Sequence, residues 1–279
     1  MNKSKHRPLP RYTFGWLEGL VLFGGAFVPA LGFSFVEALS LMVFHRSVQY
    51  NDYFVILSTL AMWIGAIGAF DYFVCRKQTG QRLRFNFSTR NFSTYAMIFP
   101  MMFGMMLVSE FVTTLIPTQG LFFGRMYAFF SQLMAQISGS PLRMVVLAVI
   151  VAPIFEEMVF RGIIQKGLIN KGMNPRRAIG IAALIFGLVH GNPWQLVGAV
   201  LLGYVLGLVY YKTKSLLMPI LLHAFNNGVA VALLMVGDSE RFSDSFGLSR
   251  YVILGAGLLI FAVFYYLFIY KFDIHHSDS

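Results

Sequence analysis

Residues 142–165 read LRMVVLAVIVAPIFEEMVFRGIIQ. The run is long enough to cross a bilayer as one helix, since a span takes about 20 predominantly apolar residues. Its second half nevertheless carries two adjacent carboxylates and a guanidinium, in Pro153-Ile154-Phe155-Glu156-Glu157-Met158-Val159-Phe160-Arg161-Gly162. An ionisable side chain near the bilayer centre costs about 2.5–3.5 kcal/mol on insertion scales, so each needs a partner or a purpose. Helical spacing separates the two glutamates. Glu157 and Arg161 stand four apart, on nearly one face, and can pair. Glu156 is turned about 100° away and points elsewhere. The spacing predicts one neutralised carboxylate and one that faces a cavity. In the plainer reading both acids share Arg161 and brace helix packing, which an apolar pair would do more cheaply.

The surrounding chain is of the same apolar kind. Of its 279 residues 57% are hydrophobic and 12% charged, with a mean hydropathy of +0.67. A soluble domain averages about 25% charged residues, so this one lacks the polar surface to face water all round. The expected fold is all-α: a polytopic membrane protein of about eight transmembrane helices, at 14–44, 53–75, 92–116, 142–165, 176–191, 193–211, 215–236 and 249–270. The whole chain, 1–279, reads as a single integral membrane domain. Pro29, with Gly24, Gly25 and Gly32, is placed to kink the first span. Residues 117–141, aromatic and punctuated by Gly and Pro, suit an outer-surface amphipathic or re-entrant helix, a further span being the alternative. Span 176–191 is short and stops at Gly191-Asn192-Pro193. A helix that ends early can leave polar backbone lining a cavity.

The net charge of +10 and pI near 9.8 raise the question of nucleic acid. The cations, however, sit in short clusters between apolar spans, without the aromatic interleaving of an RNA surface. The positive-inside rule accounts for them better. With the N-terminus cytoplasmic, sixteen Lys and Arg fall inside, among them Lys3, Lys5, Arg7, Arg76, Lys77, Lys166, Arg176, Lys212 and Lys271. Five fall outside: Arg46, Arg125, Arg143, Arg241 and Arg250, together with Asp238, Glu240 and Asp244. Both termini are therefore expected in the cytoplasm. The first apolar run is too long for a signal-peptide core and is expected to stay in the mature protein. Cys75 is the only cysteine, which excludes a disulfide framework or a Cys-rich metal site.

Most other acids have ordinary places. Glu18, Asp71 and Glu110 lie near span ends and Glu37 toward the outer end of its span, where a structural role is expected. His190 closes Phe186-Gly187-Leu188-Val189-His190, and His223 opens His223-Ala224-Phe225-Asn226-Asn227, with His223 and Asn227 on one helical face. At 1.5 Å per residue, Glu156 lies about 13 Å and His223 about 12 Å from the cytoplasmic ends of their helices. Asn227 comes out near ~18 Å and His190 near ~18–21 Å from the same side. A carboxylate, two imidazoles and a carboxamide can thus meet in one layer. Such a set can supply a general base, groups that polarise water or bind a metal, and a donor to an oxyanion. A nucleophilic mechanism fits less well, because no serine or cysteine stands beside the histidines, and the HExxH pattern of soluble zinc proteases is absent.

The three motifs Glu156-Glu157…Arg161, Phe186…His190 and His223…Asn227 resemble the CPBP family. That group includes the type II CAAX prenyl endopeptidases and the bacteriocin-processing or immunity proteins, and its pattern is EExxxR, FxxxH, then HxxxN or HxxxD. The resemblance implies an eight-helix membrane fold and a glutamate-dependent peptidase, an intramembrane protease of metallo-endopeptidase type with its catalytic core at 142–236. By that resemblance Glu156 activates water with His190, while His223 and Asn227 stabilise the oxyanion. In its alternative form Glu156, His190, His223 and Asn227 surround a divalent ion, zinc. Glu157, Arg161 and Phe186 are the implied supporting residues. Implied partners are membrane lipid and a peptide or protein substrate, such as a C-terminal tail or membrane-associated segment, in the bacterial inner membrane. No organic cofactor and no nucleic acid are implied, and nothing in the chain points to a prenyl group. Two other classes stay open on the residues alone. One is a non-catalytic binding, immunity or scaffold protein. The other is a proton-coupled transporter, although the paired halves common in that class are absent.

Overall fold

The computed structural model describes residues 10–237, 239 and 241–271. Lys3, Lys5, Arg7, Asp238 and Glu240 lie outside the described residues, as does the side chain of Lys271. The described chain is all helix and connecting loop, with no strand. The helices are α1 (Trp16–Phe44), α2 (Asp52–Thr79), α3 (Phe92–Thr114), α4 (Phe123–Ser138), α5 (141–170) and α6 (Pro175–Leu188). After them come α7 (Pro193–Thr213), α8 (Leu217–Gly237), the short α9 (Phe242–Phe246) and α10 (Arg250–Tyr266). Among the described residues six helices, α1, α2, α3, α7, α8 and α10, are long and apolar enough to cross a membrane. The protein is an all-α, polytopic integral membrane protein.

Two helices that the sequence marks as spans fall outside that six for physical reasons. Helix α5 carries Arg143, Glu156, Glu157 and Arg161. Helix α6 has only 14 residues, about 21 Å of rise against a hydrocarbon core of about 30 Å. The aromatic segment 117–141 folds as the 16-residue α4, also short for a crossing. Its Phe123, Tyr127 and Phe130 rings gather on Trp194 at the start of α7.

The chain forms two compact units, residues 10–85 with Ile163–Asn174, and Asn86–Gly162 with residues 175–271. In the first, α1 and α2 cross at Gly25 and Gly65. A Cβ on Gly25 would stand 2.5 Å from the Gly65 carbonyl oxygen. Small residues let backbones close in where lipid offers no hydrophobic drive between helices. Helix α1 continues through Pro29, and Gly25 gives the close approach to α2. Tyr12 and Phe14 bury against Phe70, and the Tyr12 carbonyl accepts from Asn170 Nδ2 at 2.9 Å.

In the second unit α3 and α10 cross at Gly104, where a Cβ would lie 2.5 Å from the backbone nitrogen of Phe261. Ile98, Met101 and Met102 of α3, Val205, Leu206 and Val209 of α7, and Met218 and Leu222 of α8 form a buried core with Phe268. That core fixes α7 and α8. Helix α6 packs on α7, α7 on α8, and α8 along the first half of α5, and the Phe186 ring of α6 meets Phe160 of α5 and His223 of α8.

Candidate active site

Helix α5 presents its two glutamates to different surroundings. Glu157 is fully buried, and its Oε1 accepts from Arg161 Nη1 at 2.8 Å. The same oxygen lies 2.9 Å from His223 Nδ1. Arg161, 1% exposed, also donates through Nη2 to the Gly203 carbonyl at 3.0 Å, and its guanidinium lies 4.7 Å from the centroid of the Phe186 ring. A Cβ on Gly203 would stand 3.3 Å from Arg161 Nη2 and 3.0 Å from Phe186 Cδ1. The glycine makes room for the cation. A buried ion pair repays its desolvation only when its further hydrogen-bonding groups are met as well. The Gly203 carbonyl and His223 meet part of that need, while Glu157 Oε2 and Arg161 Nε are buried without a partner among the described residues.

Glu156 differs in kind. Its side chain is 18% exposed, and Oε2 lies 3.9 Å from His223 Nε2. That is too long for a hydrogen bond and a separation that one water can bridge. Among the described residues its carboxylate has no hydrogen-bond partner. Glu156 is also within electrostatic reach of His190.

Chain geometry fixes how each imidazole is presented. Helix α6 stops at Leu188, so His190 sits in the turn beyond it rather than on the helix. Gly191 follows with φ +70°, a left-handed conformation that glycine adopts without strain. Helix ends leave carbonyls without partners. His190 Nδ1 lies 2.8 Å from one of them, that of Phe186. A carbonyl can only accept, so Nδ1 carries the proton and neutral His190 offers a lone pair at Nε2. His223 Nδ1 faces a carboxylate and is likewise the donor, leaving Nε2 toward Glu156. The Phe186 ring stands edge-to-face with both imidazoles, at 5.1 Å and 5.6 Å between centroids. It spaces them and carries the cation of Arg161.

Asn227 lies one turn beyond His223 on α8, and its contacts are with other groups. Nδ2 donates to the Ala148 carbonyl on α5 at 2.7 Å, and Oδ1 accepts from Asn226 Nδ2 at 2.9 Å. Glu156, Glu157, Arg161, Phe186, His190 and His223 therefore form one connected group, with Asn227 attached to the same helix two turns earlier. Sequence reasoning missed the His223–Glu157 bond, Gly203, Asn226 and the Ala148 carbonyl. A proline at 153, which leaves a carbonyl behind it without its amide, was the available signal for the last.

Donors of a kind that suits zinc are present in Glu156 and in Nε2 of His190 and His223. Among the described residues, however, no three His, Cys, Asp or Glu side chains are arranged to hold an ion. The chemistry below runs through side chains alone.

No curated protein and no solved structure matches the chain. Residues 138–229 match the family described as "Type II CAAX prenyl endopeptidase Rce1-like". The matched stretch holds all three motifs and the polar group they build, and over residues 138–229 the chain is similar to that family, in keeping with the CPBP resemblance.

Proposed function

We propose that this protein is an intramembrane endopeptidase in which Glu156 is the general base for water-driven hydrolysis of a peptide bond. The observation that carries the reading is the contrast within one dipeptide. Glu157 is buried and bonded to Arg161 and His223, while Glu156 is partly exposed, without a hydrogen bond among the described residues, and 3.9 Å from His223 Nε2. A base must lie within hydrogen-bond reach of the proton it takes, directly or through one water, and that spacing admits one.

In this mechanism Glu156 removes a proton from water, and the lone pair on His190 Nε2 accepts the water's second hydrogen and orients it. The hydroxide attacks the carbonyl carbon of the substrate. His223, held at Nδ1 by Glu157, donates from Nε2 to the oxyanion when doubly protonated. Asn227 offers its remaining N–H to the same oxygen. The proton held by Glu156 passes to the leaving nitrogen as the C–N bond breaks. Preorganised donors of this kind act strongly where water is scarce. The substrate is a peptide segment reached at the membrane, and both chain ends lie in the cytoplasm, as the placement of the basic residues supports.

The test is cleavage by purified protein. Glu156→Ala and His190→Ala should fold and be extracted like the native chain, yet fail to cut a peptide that the native chain cuts. Equal cutting by both variants would remove the assignment. A cellular phenotype that survives Glu156→Gln would point to binding without chemistry.

A further inference from the structure

The part of α5 that precedes Glu156 has a gap in its own hydrogen bonding. In an α-helix the Ala148 carbonyl would accept from the N–H of Ala152. Residues Val145–Val151 are instead in π register, and the Ala152 N–H donates to Leu147. The next residue is Pro153, which has no N–H to give. The Ala148 carbonyl must find its donor outside the helix. Asn227 Nδ2 is that donor, at 2.7 Å. The carboxamide cannot be turned the other way, because Oδ1 would then meet the carbonyl oxygen with no hydrogen between them. Asn226 Nδ2 holds Oδ1 on the opposite side at 2.9 Å.

We infer that Asn227 is a positioning residue, which closes the gap opened by Pro153 and so keeps the register that aims Glu156. The inference rests on the reading of Glu156 as the base, and is separate from any contact between Asn227 and the reacting carbonyl. One residue of helical register corresponds to about 100° around the axis. That is also the angle between Glu156 and Glu157. Losing the π turn would carry every later side chain around the helix and would exchange the surroundings of the two carboxylates. A π turn beside a working residue is a common arrangement. Here the side chain that stabilises it comes from the helix that also brings His223.

The experiment is a double-mutant cycle between Asn227 and Pro153 on the full-length protein in detergent. Pro153→Ala restores an N–H at 153, which in the existing π register stands opposite the Ala148 carbonyl and can pair with it while Glu156 keeps its direction. Asn227→Ala should lower Tm by about 2–6 °C in the native background, the effect of leaving a buried carbonyl unpaired. In the Pro153→Ala background the shift should shrink to about 1 °C or less. Should Asn227→Ala alone fail to fold, folding of the double variant is the same rescue, and failure of both overturns the inference. Equal Tm losses in the two backgrounds overturn it too. Where the native protein cuts a peptide, Asn227→Ala should lower kcat at least tenfold with KM within about threefold, and this loss should be several-fold smaller in the Pro153→Ala background, whereas loss of an oxyanion donor alone would be the same in both. Unchanged kcat beside a Tm coupling would leave a brace without a positioning role and overturn the claim. Absence of any cleavage by the native chain would count against the endopeptidase reading, while the Tm cycle still decides the pairing of Asn227 with the gap at Pro153.

Discussion

Carboxylates occur in two settings in this protein, at the ends of helices and in the middle of α5, and they differ in how their oxygens are used. Glu37 accepts from Ser47 Oγ and from the N–H groups of Val48 and Gln49, at 2.6, 2.8 and 3.0 Å. Asp71 accepts from Arg76 and from the Leu83 N–H. Glu110 receives the N–H groups of Phe242 and Ser243. Each ties down the loop or short helix that follows a span, which is the structural use that a charged group near a span end most readily has. In the middle of α5, Glu157 is used in the same way, by Arg161 and His223. Glu156 is not. An acid in apolar surroundings whose oxygens are left available, facing an imidazole, is costly to keep for stability alone. It is suited to taking a proton.

The largest expected effects come from exchanging the same amide for each of the two adjacent acids. Glu156→Gln should lower cleavage roughly 100- to 10,000-fold, the usual worth of a general base. Its Tm should stay within a degree or two of the native value. Glu157→Gln should do the reverse in kind. It breaks a buried pair and leaves Arg161 without a countercharge, at a cost of about 3–5 kcal/mol. Poor extraction and a Tm many degrees lower are expected, with lost activity following lost structure. If the two variants prove interchangeable in Tm and rate, the separation between a structural and a reactive carboxylate is wrong.

A smaller effect is expected behind the pair. Gly203→Ala places a methyl 3.0 Å from the Phe186 ring and 3.3 Å from Arg161 Nη2. Either the ring or the cation must give by a few tenths of an ångström, and overpacking of this kind costs about 1–3 kcal/mol. Because Phe186 spaces both imidazoles, the variant should lose rate as well as stability. A thermal scan and a rate measurement on the same preparation would show whether the two losses come together.

What could be read in advance follows from the range of each interaction. The apolar spans are local, and so is the Glu157–Arg161 pair, which the i,i+4 spacing predicts and the structure contains. The bond from His223 to Glu157 joins residues 66 apart, and no local pattern specifies such a partner. Depth counting put His190 on its helix. The chain instead ends α6 two residues earlier and uses the imidazole to satisfy the Phe186 carbonyl, so a side chain substitutes for the helix's next amide. Gly203 looked like any small residue in an apolar helix until the guanidinium beside it was placed. Backbone groups such as the Ala148 carbonyl have no letter of their own in a sequence. Only the missing amide of Pro153 pointed to it.

The smallest expected effect is at Glu110, and it tests the structural side of the contrast. Its two oxygens hold the Phe242 and Ser243 amides at 2.8 and 2.9 Å, at the start of the five-residue α9. A helix that short has little stability of its own, because its first amides lack internal partners. Glu110→Gln keeps one oxygen acceptor and replaces the other with a donor that faces an N–H. One charge-assisted bond is lost and another becomes neutral, for a net loss of about 1 kcal/mol. Cleavage should be unchanged, and faster amide exchange should be confined to residues 241–247. A loss of rate with normal Tm would mean that a span-end carboxylate acts on the chemistry, and the division between carboxylates that hold loops and the one that takes a proton would have to be redrawn around Glu110.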